Sequence, residues 1–312
     1  MSNTIILGGG SAGWMTAATL IKMYPDKNIT LIESPNTPTV GVGESTLGQI
    51  NKWLDLLGIK DEDFMPHTDA SYKLSIRFEN FYKKKDEGFH YPFGRPFEEN
   101  LTWGKQNWFV KKYFNKKINN NDYANFINPN MSLVNNNTIF KNTKNELNGF
   151  DFKKDTAYHF DATKFGTWLK DNYCIPKGVK HIVEDIKNIK TNKEGIVSLN
   201  GYKADLYFDC TGFKSILMNK IGAKFKSYSD LLPNNKAWAT RVPYKDKEKQ
   251  LEPFTNCTAI ENGWVWNIPS WERIGTGYVY SDKYVSDKKA LKEFKNYLDN
   301  KGHDYSKSTF KN

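Results

Sequence analysis

At 312 residues the chain has room for one large domain or two ordinary ones, and 38% apolar with 15% aromatic residues is ample for a buried core. Lysine and arginine (45) outnumber aspartate and glutamate (35), for a formal charge of +10, but the lysines are scattered or sit in short runs such as Lys83-Lys84-Lys85 among many asparagines. That pattern reads as a solvated face; with no zinc-finger spacing, helix-turn-helix signal or RNA-motif aromatic pair beside it, nucleic-acid binding is excluded, and no apolar run approaches the length that spans a bilayer.

Residues 5–7 (Ile-Ile-Leu) form a short apolar run of the kind a buried parallel strand needs. Gly8, Gly10 and Gly13 follow with G-x-G-x-x-G spacing, enclosing Ser11 and Ala12. The first glycine permits the tight turn, the second lets backbone approach a pyrophosphate, and the third lets the next helix pack close to the strand. That helix is predicted over 14–23, ending near Pro25, with a positive dipole end and free N–H groups facing the phosphates. A second strand, predicted over 29–32, ends in Glu33, 20 residues beyond Gly13, where an acid meets a ribose hydroxyl. The combination predicts a bound dinucleotide; the acid disfavours NADP and does not separate NAD from FAD.

Gly41-Val42-Gly43-Glu44-Ser45-Thr46 is a second glycine-bearing loop, suited to close backbone approach to a ligand or simply leading into a helix predicted over 47–57. Residues 70–150 read as an insertion rich in aromatics and asparagine. Within it, 71–78 alternates and predicts one strand, 115–148 reads as loop-rich, and Trp103, Trp108, Phe109, Tyr113 and Phe114 each read as scaffold packing. A helix is predicted over 158–173 from near Asp161, and a strand pair over 182–189 and 195–199. Residues 204–209 predict a buried strand that runs into the small-residue turn Cys210-Thr211-Gly212, where a further strand of a nucleotide domain meets its cofactor. The alternation over 236–280 predicts strands of a second sheet, with Trp264 and Trp266 on one face and Val265 on the other, and 283–300 reads as an amphipathic helix. Cys174, Cys210 and Cys257 are far apart and read as reduced core thiols of a cytoplasmic protein that begins with a strand and not a signal peptide. The five histidines do not cluster, so no metal site is expected.

Taken together the motifs resemble the flavin-dependent halogenases, especially their tryptophan-halogenase-like branch. The opening Gly8-Gly9-Gly10-Ser11-Ala12-Gly13-Trp14 matches that family's G-G-G-x-A-G-W, and the loop at Gly41, Val42, Gly43, Glu44 and Thr46 matches its G-V-G-E-x-T. Tyr158-His159-Phe160-Asp161-Ala162 and Asp209-Cys210-Thr211-Gly212-Phe213 match further landmarks of its FAD domain, and Trp264, Trp266, Ile268 and Pro269 match its W-x-W-x-I-P signature. Lys73, in Tyr-Lys-Leu-Ser-Ile-Arg-Phe, stands where the family carries its catalytic lysine; by residue type alone it reads as a surface strand lysine.

The resemblance implies an α/β fold: a FAD-binding Rossmann-like, three-layer domain from 1–70 and 150–230, with an inserted β-rich substrate domain from 71–150 and 231–312. It implies FAD held at Gly8, Gly10, Ser11, Ala12, Gly13, Glu33, Gly41, Val42, Gly43, Glu44, Asp209 and Gly212, and screened by Trp264, Trp266, Ile268 and Pro269. Reduced FAD from a separate flavin reductase, with O2 and halide, would yield hypohalous acid. Lys73 would polarise that oxidant or form a haloamine, and the halogen would pass to a small electron-rich aromatic, an indole or phenol. A homodimer is compatible with this reading. The family's C-terminal segment has no counterpart up to Asn312, so the chain is expected to be truncated, split or completed elsewhere, with FAD binding weakened if it stands alone. The competing expectations are a flavin monooxygenase of the same fold and a FAD-binding protein that has lost catalysis.

Overall fold

The computed structural model describes residues 2–37, 44–85, 88–95, 104–119, 122–139 and 150–312. The chain is mixed α/β and divides into two compact units: Met1–Gly41, Leu57–Thr68 and Asp161–Ser227 form one, and Val42–Leu56, Asp69–Phe160 and Tyr228–Asn312 the other.

The first unit is built on a four-stranded parallel sheet in the order Leu206–Asp209, Asn3–Leu7, Asn28–Glu33, Lys180–Val183. Side chains alternate across the opening strand, so Ile5 and Leu7 share one face while Ile6 takes the other. Ile5, Leu7 and Ile32 pack with Leu199 and the partly buried Ile189 and Ile196 of the hairpin Ile189–Asn192/Gly195–Leu199, giving one apolar layer. Helices Ser11–Met23 and Ala162–Leu169 supply the helical layer through Trp14, Ala17, Ala18 and Phe165.

Three sequence expectations change here. The helix expected over 14–23 begins at Ser11, because Gly10, in extended conformation, is the N-cap and Gly13 falls inside the first turn. The strand pair expected over 182–189 and 195–199 is two structures: Lys180–Val183 joins the parallel sheet beside Glu33, and only Ile189–Asn192 pairs with Gly195–Leu199. The strand Leu206–Asp209 is half-exposed instead of buried, since among the described residues it pairs on one side alone.

The second unit holds a six-stranded mixed sheet in the order Lys236–Val242, Ile274–Tyr280, Gly263–Pro269, Phe254–Ile260, Ser75–Glu79, Phe89–Pro92, parallel only where Phe254–Ile260 meets Ser75–Glu79. Val265, Tyr278 and Tyr280 on one face are covered by Ala290, Phe294 and Leu298 of the helix Asp287–Asn300. A separate three-stranded antiparallel sheet orders Glu44–Ser45, Ala157–Phe160 and Ser71–Lys73.

The single strand expected over 71–78 is therefore two. At Leu74 the backbone changes partners: its N–H donates to Pro253 O at 2.7 Å and its carbonyl accepts from Phe93 N at 2.7 Å. Ser71–Lys73 enters the small sheet and Ser75–Glu79 the large one. The stretch read as loop-rich contains helices Asp122–Ile127 and Met131–Asn136, which form because Ala124, Met131 and Val134 bury against Leu74 and Phe254. The helix expected over 158–173 is preceded by the strand Ala157–Phe160 and begins at Ala162, capped by the Asp161 carboxylate, which accepts from Thr163 N and Lys164 N.

Candidate functional site

In the first unit the glycine loop is demanded by sterics. Gly8 has φ +116°, and a Cβ there would lie 2.2 Å from Cys210 O; a Cβ at Gly13 would lie 1.9 Å from Gly8 O. Gly10 is the N-cap of Ser11–Met23 and no side chain caps that end, so the N–H groups of Ser11, Ala12 and Gly13 are left pointing out of the helix as anion donors. Gly9, which the spacing treats as filler, is constrained by a side chain instead of backbone: a Cβ would lie 2.6 Å from Glu33 Cβ.

Glu33 ends the second strand as expected, and it has a partner that the sequence did not reveal. His181 Nε2 donates to Glu33 Oε1 at 2.6 Å, and the His181 ring stands edge-on to Trp14 at 5.2 Å. Oε2 remains on the Gly9 side. A cleft of about 150 Å³ is lined by Gly9, Ser11, Glu33, Thr163, Gly166 and Lys170. Thr163, Gly166 and Lys170 fall at helical spacing after Asp161, a signal that was present in the sequence. A bare-backbone cradle, a free helix N-terminus, an adjacent carboxylate and a lysine are the donor set of a dinucleotide's pyrophosphate and ribose, so the residues present fit FAD.

Asp209 serves the loop's own backbone. Oδ1 accepts from Thr211 N at 3.1 Å and Thr211 Oγ1 at 2.6 Å, and Oδ2 accepts from Leu217 N at 2.8 Å and Met218 N at 3.0 Å. Burial pushes its carboxyl up, but these donors outweigh burial and hold it below the usual range. Gly212, at φ +61°, turns the chain next to it. Gly41, Val42 and Gly43 lie outside the described residues; Glu44 pairs with Phe160 in the small sheet.

In the second unit Lys73 is 1% exposed. Its Nζ donates to Thr46 O at 2.8 Å and lies 4.9 Å from the centre of the Phe93 ring. Burial pulls the amine down to about 8, with Cys257 acting in the opposite direction. The surface-lysine reading of residue type fails because alternation turns Ser71 and Lys73 inward together.

On the large sheet, Trp264 and Trp266 share a face as expected, with ring centres 6.2 Å apart and planes at 60°, while Val265 is fully buried on the other. Trp266 lies over Gly277, its direct cross-strand partner, where a Cβ would come within 2.2 Å of the indole. Its Nε1 is buried and has no hydrogen-bond partner among the described residues. Cys257 is its other cross-strand neighbour. Ile268 is buried, and the Pro269 carbonyl accepts from Ser71 Oγ at 2.6 Å, so the W-x-W-x-I-P strand is bonded to the strand of Lys73. Among the described residues no three His, Cys, Asp or Glu side chains gather as a metal site, and no helix is long and apolar enough to cross a membrane.

Residues 3–311 match the family model described as Tryptophan halogenase. A 7-chloro-L-tryptophan 6-halogenase of Kutzneria sp. (strain 744) is 34% identical over 93% of this chain and 60% of its own length. Among solved structures, VirX1 in its apo form superposes with TM-score 0.87 at 42% identity, over 100% of this chain and 61% of that one. The tryptophan 6-halogenase of Streptomyces toxytricini does so with TM-score 0.81 at 33% identity, over 94% and 59%. The chain thus spans about 60% of the length of the relatives it matches. A family match that runs through the glycine cradle, the buried lysine and the tryptophan strand alike leads to one conclusion: the chain belongs to the tryptophan halogenase family.

Proposed function

We propose that this chain carries the flavin-binding and oxidant-transfer parts of a flavin-dependent aromatic halogenase. The observation that carries the reading is the amine of Lys73, buried, fixed by the Thr46 carbonyl and facing an aromatic ring, with no carboxylate paired to it among the described residues. The unit with the glycine cradle would hold FAD through its bare backbone and Glu33; the chemistry FAD would supply there, when reduced by a separate reductase, is the making of hypohalous acid from O2 and halide. Gly8, Gly10, Ser11, Ala12 and Gly13 hold the pyrophosphate, Glu33 the ribose, and Asp209 and Gly212 shape the turn that follows the strand Leu206–Asp209, while Glu44 is assigned to the cofactor by the family pattern alone. Trp264, Trp266, Ile268 and Pro269 are assigned, by the family pattern, to screening the flavin from substrate.

With its pKa near 8, Lys73 is protonated in about nine-tenths of molecules at pH 7 and neutral in about one-tenth. The charged form donates a hydrogen bond to the oxygen that leaves the hypohalous acid; the neutral form is a nucleophile that accepts the halogen. Either role uses a group that is positioned before the oxidant arrives. The acceptor is a small electron-rich aromatic, an indole or a phenol.

The test supplies FAD, a flavin reductase, NADH and each halide in turn with an indole and phenol panel, and reads product masses. A halogen mass shift is expected, and a Lys73→Ala variant should lose it while still consuming O2. A gain of one oxygen would instead identify a monooxygenase, and bound FAD without product a protein that has lost catalysis. Halogenation by Lys73→Ala would remove the lysine from its role.

A further inference from the structure

A buried line of side chains in the second unit has no part in the reaction proposed above. Ser45 Oγ and Thr255 Oγ1 are 2.6 Å apart, Thr255 Oγ1 and His159 Nε2 2.9 Å, and His159 Nδ1 and Pro269 O 3.1 Å. With His159 buried and its ring neutral, the partners place every proton. The Pro269 carbonyl can only accept, so Nδ1 carries the ring hydrogen and donates to it. Nε2 is then a bare acceptor and takes the Thr255 hydroxyl, which leaves the Thr255 oxygen to accept from Ser45. Ser71 spends its hydroxyl on the same Pro269 carbonyl at 2.6 Å, so its 3.4 Å approach to His159 Nδ1 is two donors converging on one oxygen. His159 is fully buried, and burial first, with the charge of Lys73 second, holds its pKa well below the usual histidine range. The neutral ring on which these directions rest is the one the surroundings favour.

The line begins next to the carbonyl that holds the lysine. Ser45 is bonded through its peptide to Thr46, whose N–H donates to Tyr158 O at 2.9 Å and whose carbonyl accepts from Lys73 Nζ. It ends at the proline that closes the tryptophan strand. We infer that Thr255 and His159 are positioning residues for Lys73: the directed chain from Ser45 through Thr255 and His159 to Pro269 locks the peptide whose carbonyl aims the amine, and ties that aim to the tryptophan strand. This inference rests on the reading of Lys73 as the group that handles the oxidant.

Thr255→Val keeps the side-chain shape while removing both hydrogen bonds, and Thr255→Ser keeps both. The readout is the pH profile of Lys73 acetylation in the folded full chain, followed by peptide mass spectrometry, with halogenation kinetics alongside. Wild type and Thr255→Ser should share a labelling midpoint near 8. In Thr255→Val the loosened amine gains water, and its midpoint should rise by about a unit or more, a tenfold change in the neutral fraction at pH 7. The kcat for halogenation should fall on the order of ten- to a hundredfold with KM little changed. Ser45→Ala, which removes only the half-buried first link, should reproduce the displacement and serves if Thr255→Val does not fold. A Lys73 profile identical to wild type in the folded variants overturns the positioning role, even if their thermal stability drops. Halogenation that survives Lys73→Ala overturns the reading of Lys73 itself and leaves the labelling contrast intact, so the two failures are distinguishable.

Discussion

Lys73 is the residue that departs furthest from its type, and its burial has a thermodynamic signature. Its amine titrates at about 8 in the folded chain against 10.5 when free. Below pH 8 both folded and unfolded chains hold the proton and the burial penalty is complete. Between about 8 and 10.5 the unfolded chain binds more protons, so stability should rise with pH across that window, by at most about 3 kcal/mol. Urea titrations of wild type and Lys73→Met at pH 7 and pH 10 test this: the variant should be the more stable at pH 7 and should lack this part of the pH dependence. Equal slopes in both proteins would show that the amine is solvated. The cysteines give a second check. Burial pushes the Cys174 thiol up to about 12 and Cys257 up to about 11, while Cys210 is only half-buried. Iodoacetamide at pH 8 should therefore alkylate Cys210 first in the folded protein, read by peptide mass.

Among the elements, the strand Gly263–Pro269 is set by its glycine neighbours as much as by its own tryptophans. Gly277 offers a bare backbone under Trp266, and any side chain there must displace the indole. Gly277→Ala should shift the tryptophan emission and cost about 1–3 kcal/mol of stability, measurable by thermal melts; an unchanged spectrum and melt would mean that the ring does not rest on that glycine. The opening loop works in the same way at Gly8, Gly9 and Gly13. Its spacing was readable because G-x-G-x-x-G after a strand and before a helix has few other uses. The importance of Gly9 was not, since it depends on where the Glu33 side chain lies. The break at Leu74 was hidden too. Alternation continues through Ser71–Lys73 and Ser75–Glu79, and only the hydrogen bonds to Pro253 and Phe93 divide the run between two sheets.

For the molecule as a whole, each compact unit is assembled from three separated stretches of chain. The charge of +10 is spread over both, so duplex DNA should show no retention at physiological salt; tight, steeply salt-dependent binding would contradict the solvated-face reading. The sequence by itself determined the elements whose signals are local: the glycine turn, the acid at the end of the second strand, the alternating strands of the large sheet, and the motif pattern of the family. The tertiary structure decided everything that depends on partners distant in the chain. It turned Lys73 inward, brought His181 to Glu33, gave both oxygens of Asp209 to its own loop, and joined Ser45, Thr255, His159 and Pro269 into one line. The physical reason is that spacing and periodicity record only which face a residue takes, whereas a hydrogen bond or a buried charge is set by the group opposite, which can lie more than two hundred residues away, as Thr255 does from Ser45.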